Sequence, residues 1–269
     1  MSEVDQRINY WLEQLKTISL DEMGSIKLMN RTDTKFVTSK QKLAELLELA
    51  QGQYFALMKD GLRIAKYRTT YWDTHEHLFY LEHHNGHAPR QKIRIRTYMD
   101  SNDTFLEVKT KNNHGRTKKK RISVPTPELT DVLAAGGTPF IQGLTGQTFD
   151  DIMPTVENQF QRITLVNYGK TERLTIDFNV RFHNYETDTD AQTGDLVIIE
   201  LKRDGNVFSP ILDMLRKVRI KPHGFSKYCI GSAMTNGELK NNNFKFKMIT
   251  ISKLTGYHFT VPERQSLHS

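Results

Sequence analysis

The sequence predicts an α+β protein built on an antiparallel β-tunnel, a closed or nearly closed barrel of about eight strands with helices packed outside. Three observations carry this. Period-two alternation covers most of the chain, helical periodicity is confined to short stretches, and five strands place charged residues, mostly cations, on alternate positions.

Taken in order, the opening MSEVDQRINYWLEQL reads as a short amphipathic helix within residues 1–20. Strand patterns follow at Asn30–Thr38, Tyr54–Met58, Ile64–Trp72, Gln91–Met99, Thr104–Lys111, Arg116–Val124, Asn158–Tyr168, Glu172–His183 and Asp195–Arg203. Leu43, Leu46, Leu47 and Ala50 recur at helical spacing after Ser39, a capping residue, and predict a helix to about Gln51. A second helix is predicted over His75–His84, with Leu78, Phe79 and Leu81 on its apolar side. Pro125–Pro154, rich in Gly, Pro and Thr, reads as an internal connection with a short helix near Phe140–Leu144. Asn236–Asn243 is turn-rich, and Phe244–Val261 fits strand and helix equally. One domain over 1–269 accommodates all of this, with 236–269 as a C-terminal extension.

Lys plus Arg number 38 against 31 Asp plus Glu, a net charge of +7 that points to an anionic partner without choosing one. Cys229 is the sole cysteine, which excludes an intrachain disulfide and a CxxC zinc cluster. The N-terminus lacks the basic head and apolar core of a signal peptide, and no stretch approaches the roughly 20 apolar residues of a membrane span. A cytoplasmic protein is expected, reaching a membrane only through a partner.

The alternation itself is informative. Lys92, Arg94 and Arg96 share one face of their strand and Ile93 and Ile95 the other. Glu107, Lys109 and Lys111 oppose Leu106 and Val108, and Lys119, Arg121 and Ser123 oppose Ile122 and Val124. Arg173, Asp177 and Arg181 oppose Leu174, Ile176, Phe178, Val180 and Phe182, while Glu200 and Lys202 oppose Val197, Ile199 and Leu201. A single such strand reads as a solvated face. Five of them, dominated by cations, predict a curled sheet whose charged faces converge, with the apolar faces packed outward. Such an interior repels itself unless a polyanion fills it, and phosphate chains suit Lys point charges and the planar Arg fork. Glu200 is the best-placed carboxylate for a divalent cation. The run Lys118–Arg121 resembles a nucleic-acid patch, but alternation splits it over two faces, and no nucleic-acid partner is expected. His75, His77, His83 and His84 lack a ligand pattern and read as structural or solvated.

The segments Arg31-Thr-Asp-Thr-Lys35, Tyr67-Arg-Thr-Thr-Tyr-Trp-Asp73, Lys92-Ile-Arg-Ile-Arg-Thr-Tyr98, Phe105-Leu-Glu-Val-Lys-Thr-Lys111, Lys119-Lys-Arg-Ile122, Ile198-Ile-Glu-Leu-Lys202 and Ser226-Lys-Tyr228 occur in the order and approximate spacing of the VTC domain. The chain resembles that family, the polyphosphate polymerase module of the triphosphate tunnel superfamily, over about Met29–Ser232. The resemblance implies transfer of the ATP γ-phosphate to a polyphosphate chain with Mn²⁺ or Mg²⁺ as cofactor. Its partners would be ATP and polyphosphate or pyrophosphate, with a membrane protein as a further partner. Lys35, Arg94, Arg96 and Lys227 would stabilise the transferring group. Arg31, Lys92, Lys109, Lys119, Arg121, Arg162, Arg173, Lys202 and Ser226 would bind phosphates, and Glu200 would hold the metal. The superfamily's hydrolases and cyclases begin with Glu-x-Glu-x-Lys. Arg31-x-Asp33-x-Lys35 stands in its place here, which weakens a metal site on that strand and favours the polymerase branch. Family members also carry a basic residue where this chain has His83, His84 and Arg90, a choice the sequence leaves open. A metal-dependent triphosphatase or polyphosphatase, or a non-catalytic polyphosphate- or nucleotide-binding module, would use the same tunnel.

Overall fold

The computed structural model describes residues 1–24, 31–113, 116–205 and 207–258. The first helix, α1 (Glu3–Gln14), is fixed by a reciprocal capping box between Ser2 and Asp5. After β1 (Lys16–Ile18) and α2 (Leu20–Gly24) comes β2 (Arg31–Ser39), then α3 (Lys40–Leu49). The chain continues through β3 (Tyr54–Leu57), β4 (Ala65–Asp73), α4 (Leu78–His84), β5 (Arg90–Tyr98), β6 (Asp103–Lys111) and β7 (Thr117–Ser123). The Gly- and Pro-rich connection holds α5 (Leu129–Ala134) and α6 (Gly137–Thr145). Long strands β8 (Met153–Asn167) and β9 (Glu172–Asn184) lead to β10 (Thr189–Gln192) and β11 (Leu196–Asp204). Three helices follow: α7 (Pro210–Lys217), α8 (Lys227–Thr235) and α9 (Asn242–Thr255). No helix among the described residues is long and apolar enough to cross a membrane.

Eight strands form one antiparallel path in the order β2-β11-β9-β8-β4-β5-β6-β7, with β1, β3 and β10 attached at its side. Among the described residues β2 and β7 do not pair, so the barrel keeps an open seam. Residues 222–223 cover the free edge of β2, through a bridge from Phe36 to Pro222 and a hydrogen bond from the His223 amide to the Lys35 carbonyl (2.8 Å).

The outer faces of β2, β8, β9 and β11 bury Phe36, Ile163, Leu165, Leu174, Ile176, Phe178, Val197, Ile199 and Leu201 in one core with α1, α3 and α7. Ile93, Ile95, Leu106 and Val108 belong to a second core with Trp72, Phe79, Val132 and Ile141. These are the outward apolar faces the alternation predicts.

Two features depart from simple alternation. Asn179, at φ 53°, forms a bulge where Phe160 of β8 faces two residues of β9. The parity of β9 flips there: Leu174, Ile176 and Phe178 lie in the outer core, whereas Val180 and Phe182 turn into the other one. Arg181 is therefore exposed and does not share the face of Arg173 and Asp177. The barrel interior is also not charged throughout. Val37, Ile198, Val156, Val180 and Phe182 pack around α8, whose residues Tyr228–Thr235 are all buried. Helix α8 thus fills one end of the tunnel, and Gly231 lets it approach, since a Cβ there would lie 2.5 Å from the Phe182 ring.

Candidate active site inside the β-tunnel

Strand register places the polar residues in rows across the inner wall. One row runs Lys35, Glu200, Thr175 and Thr164 on β2, β11, β9 and β8. The next runs Ile198, Asp177 and Arg162. On the opposite wall Tyr71, Arg94, Glu107 and Arg121 are in register across β4 to β7, beside Lys92, Lys109 and Lys119. Helix α8 points its N-terminus, Ser226 and Lys227, between the two walls.

Glu107 is fully buried and anchors the first wall. It accepts from Arg94 Nε (2.8 Å), lies 2.6 Å from Arg94 Nη2, and accepts from Lys119 Nζ (2.8 Å). Burial alone would raise its carboxyl, but Arg94, Arg96 and Lys119 hold it well below the carboxylate range. Arg94 also donates to the Tyr71 hydroxyl (3.3 Å). Burial pushes that phenol up, yet Arg94, Lys92 and Arg96 outweigh it and bring it down to about 8. Arg96 donates to Thr69 Oγ1 (3.1 Å), and burial next to Arg94 lowers it to about 10.

Asp177 anchors the second wall. Arg162 grips it through Nε (2.5 Å) and Nη2 (2.8 Å), and Lys227 donates to the same carboxylate while its ammonium sits 4.1 Å from the Phe160 ring centre. Ser226 caps α8 by accepting from the Cys229 amide (3.3 Å) and also accepts from Lys92 Nζ (2.9 Å). Lys35 donates to the Phe225 carbonyl (3.0 Å).

Between the walls lie Lys109 and Glu200. Among the described residues Lys109 makes no hydrogen bond and no ion pair. Burial, Arg94 and Lys35 bring its ammonium down to about 8 against the pull of Glu200. Glu200 has Lys202 at 3.4 Å; burial raises its carboxyl, and Lys202, Lys35, Lys109 and Arg162 pull it down to about 2. These mutual effects link β2, β6, β8 and β11 across the interior, which is how convergence of the charged faces appears in the molecule.

The candidates do not all converge equally. Lys35, Lys92, Arg94, Arg96, Lys109, Lys119, Arg162, Glu200, Ser226 and Lys227 form one connected cluster. Arg173 and Lys202 are in register with each other one row further out. Arg121 is opposite Glu107 in register but does not bond it; exposed on the edge strand, its guanidinium stacks 4.3 Å from the Phe105 ring centre. The side chain of Arg31 lies outside the described residues. Sequence reasoning placed Glu107 and Asp177 on the charged faces without giving them a part in the site, and it passed over Tyr71, although Tyr71 lies within a quoted motif.

A divalent cation needs oxygen donors. The Thr175 hydroxyl, buried beside Glu200 in register, has no hydrogen-bond partner among the described residues. Glu107 and Asp177 are committed to cations, and no group of three or more metal-ligating side chains occurs among the described residues. Glu200 and Thr175 fit an ion that takes most of its ligands from phosphates, and do not fit an all-protein cage.

A sequence model of the VTC domain matches residues 30–236. The chain belongs to the VTC domain family. No curated protein matches its sequence. Among solved structures, this VTC domain is similar to the Hippeastrum adenylyl cyclase homologue described as having a dominant triphosphatase activity (TM-score 0.50, 13% identity, 75% of this chain and 94% of that one). A Bacillus halodurans protein provisionally named an adenylate cyclase aligns at TM-score 0.48 and 13% identity, over 74% of this chain and 96% of that one. At these identities the Hippeastrum likeness concerns the fold, and the α+β tunnel architecture of the VTC domain agrees with it.

Proposed function

We propose that this VTC domain is a metal-dependent phosphotransferase that moves the γ-phosphate of ATP onto the end of a polyphosphate chain. The supporting observation is the excess of cations enclosed in the tunnel. Glu107 pairs with Arg94 and Lys119, and Asp177 with Arg162 and Lys227, two carboxylates against four cations; among the described residues Lys35, Lys92, Arg96 and Lys109 make no ion pair. Enclosed cations without enough anions call for a ligand carrying several negative charges.

In this reading Lys35, Arg94, Arg96 and Lys227 hold the transferring phosphoryl group in line between donor and acceptor, and Lys109, Lys119 and Arg162 fix its neighbours. Catalysis is positioning plus positive potential as charge builds on the β-γ bridging oxygen, with no covalent enzyme intermediate. The Glu107 and Asp177 anchors keep the guanidinium planes from reorganising. A polyphosphate terminus is already anionic, so attack needs no strong base. Mn²⁺ or Mg²⁺, held by Glu200 with the substrate's phosphate oxygens, would neutralise charge on the leaving phosphates.

Hydrolysis is the second reading. The Hippeastrum relative is described with triphosphatase activity, and water could replace the chain end in the same site. Incubation with ATP and either metal, followed by resolution of products by chain length, separates the two. Growing chains with stoichiometric ADP are expected; orthophosphate without chain growth would sink the polymerase reading in favour of the hydrolase.

A further inference from the structure

The cations of the tunnel do not stop at its wall. Beside the outer edge of β2, Lys35 and Lys92 are joined by side chains from the 222–223 segment, α4, α9 and the start of β5. His223 lies on the segment that pairs with the free edge of β2. His83 comes from α4, Arg90 from the start of β5, and Lys247 from α9, which packs against β2 and β11. Phe244 of α9 gathers two of them: its ring centre is 6.3 Å from that of His83 and 6.0 Å from the Lys247 ammonium. Lys92, Arg90, Lys247 and Lys35 all act on the His83 imidazole, and Lys247 acts on His223. The Nδ1 atoms of His83 and His223 are both buried without a hydrogen-bond partner among the described residues.

This arrangement takes His84 out of the choice left by the sequence and keeps both His83 and Arg90. His84 is spent on structure, accepting from the Asn243 amide (3.3 Å) and lying edge-on to Phe244 at 5.2 Å. His83, one residue earlier, turns to the cations. A folded interior has no reason to gather four cations about a half-buried imidazole, because each raises the cost of the others. An anion entering the group would relieve that repulsion and give the two unpartnered Nδ1 atoms a partner. Lys247 lies beyond residue 236, where the family match ends, so this cluster is completed by the C-terminal extension.

We propose that the seam beside α9 is a second phosphate-binding station, which holds the end of an inorganic phosphate chain remote from Glu200. With α8 filling the barrel axis at this end, the chain passes sideways between β2 and β7. The station rests on the polyphosphate reading of the tunnel and extends it: it predicts a preference for chains long enough to reach both sites.

The test is calorimetric titration of the full-length protein with linear tripolyphosphate and with a longer linear polyphosphate, repeated on Lys247→Ala and His83→Gln. The longer chain should bind the unaltered protein more tightly. Each substitution should weaken the longer chain about tenfold, the scale of one charge-assisted contact, with tripolyphosphate affinity unchanged. Equal affinity for both lengths in the unaltered protein, or equal losses for both in the variants, would overturn the station and leave the tunnel reading standing. No binding of tripolyphosphate to the unaltered protein would overturn both. Should His83→Gln fail to fold, Lys247→Ala on the partly exposed face of α9 carries the comparison alone.

Discussion

Glu107 and Glu200 are both tunnel carboxylates, and their surroundings assign them different tasks. Glu107 is fully buried between Arg94 and Lys119, so Glu107→Gln strands two cations and should cost about 3 kcal/mol of stability in urea unfolding. Glu200 is less enclosed, with Lys202 at 3.4 Å as its near partner. Glu200→Gln also removes a counter-charge of the enclosed cations and should lower the urea midpoint too, but it is set apart by a roughly 10²-fold loss of metal-dependent turnover. A Glu200→Gln protein that kept full metal-dependent turnover would remove it as the ligand. The inward set of Lys92, Arg94, Arg96, Lys109 and Lys119 was legible in the sequence because short straight strands keep strict parity. Tyr71 was not, since an aromatic flanked by Thr and Trp reads as core packing, and only its contact with Arg94 distinguishes it. Arg181 was misread because nothing in Phe-Asn-Val announces that Asn179 will adopt a positive φ.

At the scale of elements, α8 decides how much of the barrel remains a tunnel. Its sequence, buried all round, has no amphipathic stripe, so Ser226 as a cap and the family resemblance are what point to a helix there. α9 was ambiguous for the opposite reason, as Phe-Lys-Phe-Lys mimics strand alternation. Seating of α8 depends on Gly231 against Phe182. Gly231→Ala should destabilise by about 1–3 kcal/mol, the usual range for overpacking. Adding Phe182→Leu should recover part of that loss, which urea unfolding of the double variant would show; independent, additive losses would mean the two do not meet. Since Ser226 and Lys227 begin this helix, the same substitution should also lower tripolyphosphate affinity.

For the whole molecule, the enclosed positive potential makes both stability and binding depend on pH. Lys109 falls to about 8 from 10.5 and Tyr71 to about 8 from 10.0. Between pH 8 and those unfolded values the unfolded chain holds more protons than the folded one, so ligand-free stability should rise with pH across that window. Binding should move the other way, because Lys109 loses its charge and Tyr71 gains one. Thermal unfolding at pH 7.5 and 9.5 with and without tripolyphosphate checks both signs: the ligand-induced increase in Tm should shrink at the higher pH. An unchanged increase would show that neither group senses the ligand.

Among the described residues the open seam leaves the outer edge of β7 without a partner strand, and an unpaired strand is a template on which a second chain can add. Lys118 and Lys120 stand exposed on the outward face of that edge, and Lys119 and Arg121 on the inward one. The run that resembles a nucleic-acid patch therefore also acts as an electrostatic fence against β-addition. Replacing Lys118 and Lys120 with Val should leave tripolyphosphate binding intact and yield larger assemblies in light scattering; a monodisperse variant would remove that role. If the seam passes the ligand as proposed, the barrel has to guard the edge it exposes, and residues of one charge would serve both ends.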